Sequence, residues 1–384
     1  MKIAYHHRTK GKGAQGIHIR EILEAYRELG HQVEILSLTN KNPGQHQSSE
    51  ADSEGKNNKI SLSVLLKKCF VLLYNIPGYL YLRSKLNKNG FDFIYERYSL
   101  YNYAGVKAAK KTGLPLVLEV NSPYAHKIEE YEKPLFHDFA KKVEKKIIKE
   151  ADIVITVSKS LRNYLSDMGI DKDKITVLHN GVNFNKFNYD IVGRKIKGRY
   201  NLSNKKVIGF VGGIEKHHGL DTLIKAAAKL GNKEELALLL LGSGSYKEEL
   251  EQLAESLNVE LIFPGRVAHE KVPDYIAAMD IAVKPDANFY CSPMKLFEYM
   301  AMKKPVIAGD TSSVREIIDD GETGLVVKPE VEGLKKGLNR LLSNSELADE
   351  LANNGYKYVK KNYSWQENAR KVINLVRKLK EGGQ

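Results

Sequence analysis

The 384-residue sequence has only two cysteines, Cys69 and Cys291, and neither has a partner at CxxC spacing. That scarcity excludes a disulfide framework and a zinc site built on thiolates, and it fits a reducing compartment. A chain of this length needs no such staples, because it can bury large cores in two or three domains. Membrane-spanning apolar runs are also missing. The best candidate, Leu65–Leu86, has an uncharged core, Cys69–Leu82, that is too short to cross a bilayer and is interrupted by Pro77 and Gly78. No early apolar run followed by small residues marks a secretory signal; residues 1–9 read as a strand. Tandem repeats are absent. No acidic pair of the DxD kind sits at a strand end, so no metal site is expected.

What the chain does have is positive charge, a formal net of +13. Residues 1–190 carry 30 Lys+Arg against 21 Asp+Glu, and residues 191–384 carry 30 against 26, so the basic excess is mostly N-terminal. Phosphorylated substrates and anionic membranes suit such a balance. Nucleic acid is not an expected partner, because no strand interleaves aromatic and basic residues. Within residues 65–88, Lys67, Lys68, Arg83, Lys85 and Lys88 flank a stretch holding Tyr74, Tyr79 and Tyr81. This composition suits peripheral contact with a membrane surface, the alternative being a pair of core-packing helices. The expected location is the cytoplasm, at the inner face of the cell membrane if that segment docks.

Apolar periodicity alternates between strand and helix along the whole chain. "MKIAYHH" reads as a buried strand and "RTKGKGAQG" as a polar loop. "IHIREILEAYRELG" follows as a helix burying Ile17, Ile22, Leu23, Tyr26 and Leu29, and "HQVEILSL" as a second strand. Residues 39–60 read as a mobile polar loop. The alternation pauses at "NGVNFNKF" and restarts at "KKVIGFVGGI". The expectation is an α/β chain of two Rossmann-like, doubly wound domains. Residues 1–185 form the first, 186–364 the second, and a final helix, 365–384, packs back on the first. Ligands of such sheets bind at the C-terminal ends of the strands, so two such domains facing a cleft suggest a two-substrate enzyme.

The stretch "SPMKLFEYMAMKKPVIA", from Ser292 to Ala308, starts a helix with a lysine and a glutamate three residues apart. Ser292 reads as an N-cap and Pro293 as the first helical residue. The N–H groups of Met294, Lys295 and Leu296 then point out of the helix end toward an anion. A cation at a helix N-terminus is unfavourable by about 0.3–1 kcal/mol, so Lys295 makes sense if a phosphate sits there. Glu298, one turn on, can accept hydrogen bonds from two ribose hydroxyls, the alternative being a simple surface ion pair with Lys295. "GFVGGIEKHHGLDTLIKA" places Gly212, Gly213, Lys216, His217, His218 and Gly219 between a strand and a helix, a loop suited to close backbone approach and phosphate contact. Adjacent histidines diverge and lack a third ligand nearby, which argues against metal. "GKGAQGIHIREI" contains GxGxxG, but it begins well after its strand. No acidic residue ends the second strand, so a dehydrogenase is not expected. Glu119 and Asn121 lie at a strand end in "LEVNSPYAHKIEE".

Taken in order, these motifs resemble the family-4 retaining glycosyltransferases, which have the GT-B fold. The likeness covers nearly the whole chain, through "VITVSKSL", "ITVLHNGVNFNKF", "GFVGGIEKHHGLDTLIKA", "LLLLGSGS", "LIFPGRV", "MDIAVKP", the Ser292–Ala308 stretch and "REIIDDGETGLVV". It is nearest a subset with SPxKxxEYMA and HG motifs, often tied to surface polysaccharide assembly. The resemblance implies a UDP- or GDP-linked sugar donor at the second domain, a glycan or lipid-linked acceptor at the first, and no cofactor. It makes Glu298 the ribose anchor and places Tyr290 where the family has a sugar-binding glutamate. Gly213 and His218 stand where the family has an arginine and a lysine, and Asn121 where it has an acceptor-side histidine. Lys295, helped by Lys216, would restore the lost charge. Catalysis is thus assigned to Lys295, Lys216 and Asn121. Donor binding is assigned to Glu298, Pro293, Met294, Leu296, Gly213, His218, Gly13, Gly244, Val267 and Tyr290, and acceptor binding to His18 and Glu119. Rival expectations are a non-catalytic partner of another transferase and a GT-B nucleotide-sugar epimerase.

Overall fold

The computed structural model describes residues 1–11, 13–39, 73–124, 126, 137–231 and 233–382. Cys69 and residues 40–72, which include most of the polar loop and the first half of the membrane candidate, lie outside the described residues. Among the described residues, one compact unit runs to His179 and resumes at Trp365, and the other is Asn180–Ser364.

Unit 1 carries a six-stranded sheet in the order β2-β1-β3-β4-β5-β6. Its strands are β1 (Lys2–His6), β2 (Gln32–Leu36), β3 (Phe93–Arg97), β4 (Leu116–Val120), β5 (Ile153–Thr156) and β6 (Ile175–Val177). All neighbours are parallel. Helices cover such sheets on both faces, and the strands accordingly read as continuous apolar runs rather than alternating ones. The first helix spans Gly13–Glu28 and so starts earlier than the periodicity suggests. Gly16 is buried there, and its missing side chain lets the first turn join the helix's buried face. Ile19, Ile22, Leu23, Ala25 and Tyr26 form the rest of that face, while Ile17 and Leu29 are only half-buried. The helix Trp365–Gly382 packs on it, held by Gln366 Nε2 donating to Glu28 (2.6 Å) and Asn368 Nδ2 donating to the His179 carbonyl (2.7 Å).

A second departure concerns Pro77 and Gly78, which do not interrupt their segment. The helix Asn75–Asn89 runs through both. Pro77 lies in the first turn, where a missing N–H leaves no hydrogen bond unmade. Gly78 is buried beneath the Tyr74 ring and Ala104, which leave no room for a β-carbon.

Unit 2 has its own six-stranded parallel sheet, in the order β12-β11-β10-β7-β8-β9. Here β7 is Lys206–Val211, β8 Leu236–Leu241, β9 Leu261–Gly265, β10 Ile281–Lys284, β11 Val306–Gly309 and β12 Leu325–Val327. Read outward from β7, this is the doubly wound order, with its switch point between β7 and β10. Pro264 sits in β9, at the edge of the sheet, where its missing donor is tolerated. Two apolar clusters fill the two faces. Ile208, Phe210, Ile281 and Val283 join one, and Ala282 joins the other together with Leu296, Phe297, Tyr299 and Met300.

Candidate active site

The switch point of unit 2 gathers most of the residues singled out in its sequence. β7 ends in Val211, whose N–H donates to the Tyr299 hydroxyl at 2.7 Å. That bond ties the strand end to the helix Met294–Ala301. Gly212 follows, with its N–H on the Leu241 carbonyl at 2.9 Å. The Gly212 carbonyl fills the place a β-carbon would need at Gly242, and the Ile214 carbonyl does the same at Gly244. The loops after β7 and β8 therefore touch backbone to backbone, which only glycine permits.

Lys295 reaches back across this edge. Its ammonium lies 4.1 Å from the centre of the Phe210 ring and against the Gly212 backbone. Part of the side chain remains exposed, yet burial, with the charge of Lys284 added, pushes the ammonium well below the usual lysine range. Among the described residues no carboxylate forms an ion pair with it. Glu298 turns elsewhere, and its Oε1 lies 3.4 Å from His269 Nε2. The surface pair between Lys295 and Glu298 does not form. His218 is half-buried, with its ring 5.6 Å from that of Phe210. Burial first, then the charges of Lys295 and Lys284, push it down to about 2, so it is a neutral imidazole. Lys216 is exposed on the same turn. Gly213 is exposed and has room for a β-carbon. Val267 is half-buried after β9, and Tyr290 is buried, its hydroxyl accepting from Asn288 Nδ2 at 3.1 Å.

Two local details differ from the sequence reading. Ser292 does not cap the helix. Pro293 holds the cap position with extended backbone, and the Ser292 hydroxyl instead accepts the Asn180 N–H at 3.0 Å. The Leu296 N–H is not free for an anion, because it already donates to the Pro293 carbonyl at 3.0 Å. Among the described residues, the amides of Met294 and Lys295 are the ones that remain at the helix end.

Sequence reasoning missed Lys284, the last residue of β10. It is 3% exposed, and its ammonium has no hydrogen-bond partner among the described residues. In "MDIAVKP" it looks like an ordinary polar exit from an apolar strand. Only the pairing of β10 with β7 shows that this exit falls at the switch point.

The same edge of unit 1 is organised differently. Glu119, on β4, is buried, and its Oε1 accepts from His18 Nε2 (2.8 Å) and Asn121 Nδ2 (2.8 Å), with Arg97 Nη1 at 3.5 Å. Arg97 Nη1 also donates to His18 Nδ1 at 3.1 Å. Both ring nitrogens of His18 are thus engaged, and its ring meets Trp365 edge-on at 4.9 Å. Although burial opposes it, the electrostatic interaction and hydrogen bond with His18, followed by Arg97 and Asn121, hold the Glu119 carboxyl at about 2. A second buried set joins His6 Nδ1 to Glu96 Oε2 (2.8 Å) and Asn102 Nδ2 to Glu96 Oε1 (3.0 Å). Gly13 begins the first helix with φ near 58° and is exposed.

Comparison with known proteins agrees with this geometry. Residues 15–186 match the model of Glycosyltransferase Family 4, and residues 194–358 that of Glycosyl transferases group 1. An uncharacterized glycosyltransferase of Methanocaldococcus jannaschii is 26% identical over 77% of each chain. The GDP-mannose-dependent alpha-(1-6)-phosphatidylinositol monomannoside mannosyltransferase of Mycolicibacterium smegmatis is 25% identical over 62% of this chain and 66% of its own. Among solved structures, Anabaena HepE in complex with UDP superposes with a TM-score of 0.73 at 18% identity, covering 98% of this chain and all of that one.

Proposed function

Because the chain is a glycosyltransferase of the family-4, GT-B kind, we propose that it moves a sugar from a UDP- or GDP-linked donor to a glycan or lipid-linked acceptor, with retention and without a metal. The observation that carries this reading is the Lys295 ammonium, set without a carboxylate partner beside the Gly212 backbone at the unit 2 switch point. A leaving nucleoside diphosphate gathers negative charge as the sugar departs. Lys295 and the free amides of Met294 and Lys295 meet that charge in a poorly solvated place, where a fixed dipole or cation acts strongly. Glu298, 8% exposed, is left to accept the ribose hydroxyls. The acceptor hydroxyl attacks from the face the phosphate leaves. A nucleotide donor is further supported by the UDP complex of the fold neighbour.

The deciding test is a thermal-shift screen against UDP, GDP and ADP. One of them is expected to raise the melting temperature, because a ligand bound only by the folded state stabilises it. Three flat traces would sink the reading.

For the acceptor, we propose a lipid-linked glycan met at an anionic membrane surface. Leu73, Ile76 and Leu80 are 58%, 65% and 57% exposed and share one face at spacings of three and four. Arg83, Lys85 and Lys88 follow on the same helix, also exposed. No described helix is long and apolar enough to cross a membrane, so contact would be at the interface. Vesicles containing anionic lipid should retain the protein, and Ile76→Ser with Leu80→Ser should release most of it. Equal retention of both proteins would favour a role for this stripe in packing.

A further inference from the structure

Lys284 is a buried ammonium that nothing in unit 2 explains as a structural element. Its side chain lies on the same sheet face as Ala282, the face covered by the helix Met294–Ala301. Within the sheet it ends β10, beside the end of β7, so it lies at the switch point with Gly212 and Lys295. The ammonium is enclosed and makes no hydrogen bond among the described residues. The groups that face it are Lys295, His217 and His218, all basic, with Asp286 and the Cys291 thiol on the loop after β10. Asp286 directs its Oδ1 to the Ala287 N–H at 2.7 Å and is not paired with Lys284.

A lysine left this way is costly, since a buried charge without a partner forfeits its hydration for nothing. The cost falls if an anion arrives. Charge counting calls for an anion with at least two negative charges. Two ammoniums, Lys284 and Lys295, stand together without ion-pair partners, and His218 is neutral. A nucleoside diphosphate esterified to a sugar brings two negative charges, one on each phosphoryl group, whereas a nucleoside monophosphate carries its charge, about two at pH 8, on a single phosphoryl group. We infer that Lys284 is a second cation of the donor site, set in the wall beside Lys295, and that its charge is matched by the second phosphoryl group of a bound nucleoside diphosphate. This rests on the donor reading above and extends it to a residue that acts through the field of the site, in the role of a positioning residue.

Two consequences separate this role from a packing role. Discrimination between nucleoside diphosphate and monophosphate depends on Lys284. Binding of the diphosphate also draws a proton onto the lysine pair, because burial holds Lys284 at about 8 before the anion arrives.

The test uses the full chain, the best nucleoside diphosphate from the thermal-shift screen, and its monophosphate. Calorimetry at pH 8 in two buffers of different ionisation enthalpy gives both affinity and proton uptake. Lys284→Met, which keeps most of the side-chain length without the charge, is expected to bind the diphosphate at least tenfold more weakly. Its monophosphate affinity should stay within about threefold, and its proton uptake should fall. Lys284→Gln serves as a second variant should the methionine disturb packing. An unchanged ratio of the two affinities overturns the inference, and so does an equal loss for both ligands. A loss seen only with a donor whose sugar bears a carboxylate would assign the lysine to the sugar and overturn the phosphoryl assignment. If the unsubstituted protein binds no nucleoside diphosphate at all, the donor reading itself falls.

Discussion

The two units build the same kind of parallel sheet and treat its functional edge in opposite ways. In unit 1 two buried carboxylates are met by partners, Glu119 by His18, Arg97 and Asn121, and Glu96 by His6 and Asn102, although Glu119 Oε2 and both His7 ring nitrogens make no hydrogen bond among the described residues. In unit 2 the cations Lys284 and Lys295 share the switch point, close enough to feel each other's charge, and neither forms an ion pair among the described residues. A satisfied network rigidifies, whereas an unsatisfied pair waits for a ligand. On the function proposed above, it is in unit 2 that an anionic substrate would complete the electrostatics. It gives unit 1 a scaffold with both nitrogens of His18 already committed.

Substitutions at matched depth should divide along this line. The largest effect is expected from Lys295→Ala, which should lower sugar transfer by roughly 10²–10³-fold, the usual cost of removing a fixed stabilising group. Its urea midpoint should stay near that of the parent. Near-normal turnover would break the comparison at its strongest point. Glu119→Ala should do the reverse, losing about 3 kcal/mol in urea denaturation because His18 and Arg97 are left without their anion, while nucleotide affinity holds.

Acid titration sharpens the same point. Glu119 sits at about 2 in the folded chain against an ordinary 4.5, so its contribution of about 3 kcal/mol is present above pH 4.5 and is lost as the pH falls toward 2. Glu119→Gln should flatten the stability curve in that window only. At the other end of the scale, Lys284 is held near 8 against an ordinary 10.5. Between those values only the unfolded chain keeps the proton, so ligand-free stability should rise with pH from about 8 to 10.5. Lys284→Met should reduce that rise, leaving the part that Lys295 and Lys304 contribute, and add about 1–2 kcal/mol at neutral pH. A parent protein whose stability is flat over this range would show that the unit 2 edge is not under strain.

The alternation of strands and helices was legible in the chain because buried parallel strands are short apolar runs, and helices repeat at 3.6 residues. Lys295 and Glu298 stood out because both charges fall in the first turns of an apolar helix. Lys284 did not, since its meaning depends on which strand lies beside β10, and that neighbour, β7, is more than 70 residues earlier in the chain. Ser292 misled for a related reason. Its local context is that of a helix cap, but its hydroxyl is claimed by Asn180, 112 residues away. His18 looked available for a substrate until Arg97 and Glu119 were seen to hold its two nitrogens. Long-range partners decide such cases, and a single sequence does not display them.

The return of the helix Trp365–Gly382 to unit 1 also has a meaning for biosynthesis. Among the described residues unit 2 is one continuous stretch, so those residues are all present once Ser364 has left the ribosome. The body of unit 1 is translated first but is closed last, when Trp365 reaches the edge of His18. The order of synthesis and the order of completion are therefore reversed. A chain released early would carry a finished unit 2 joined to an open unit 1, its first helix uncovered for quality control to find.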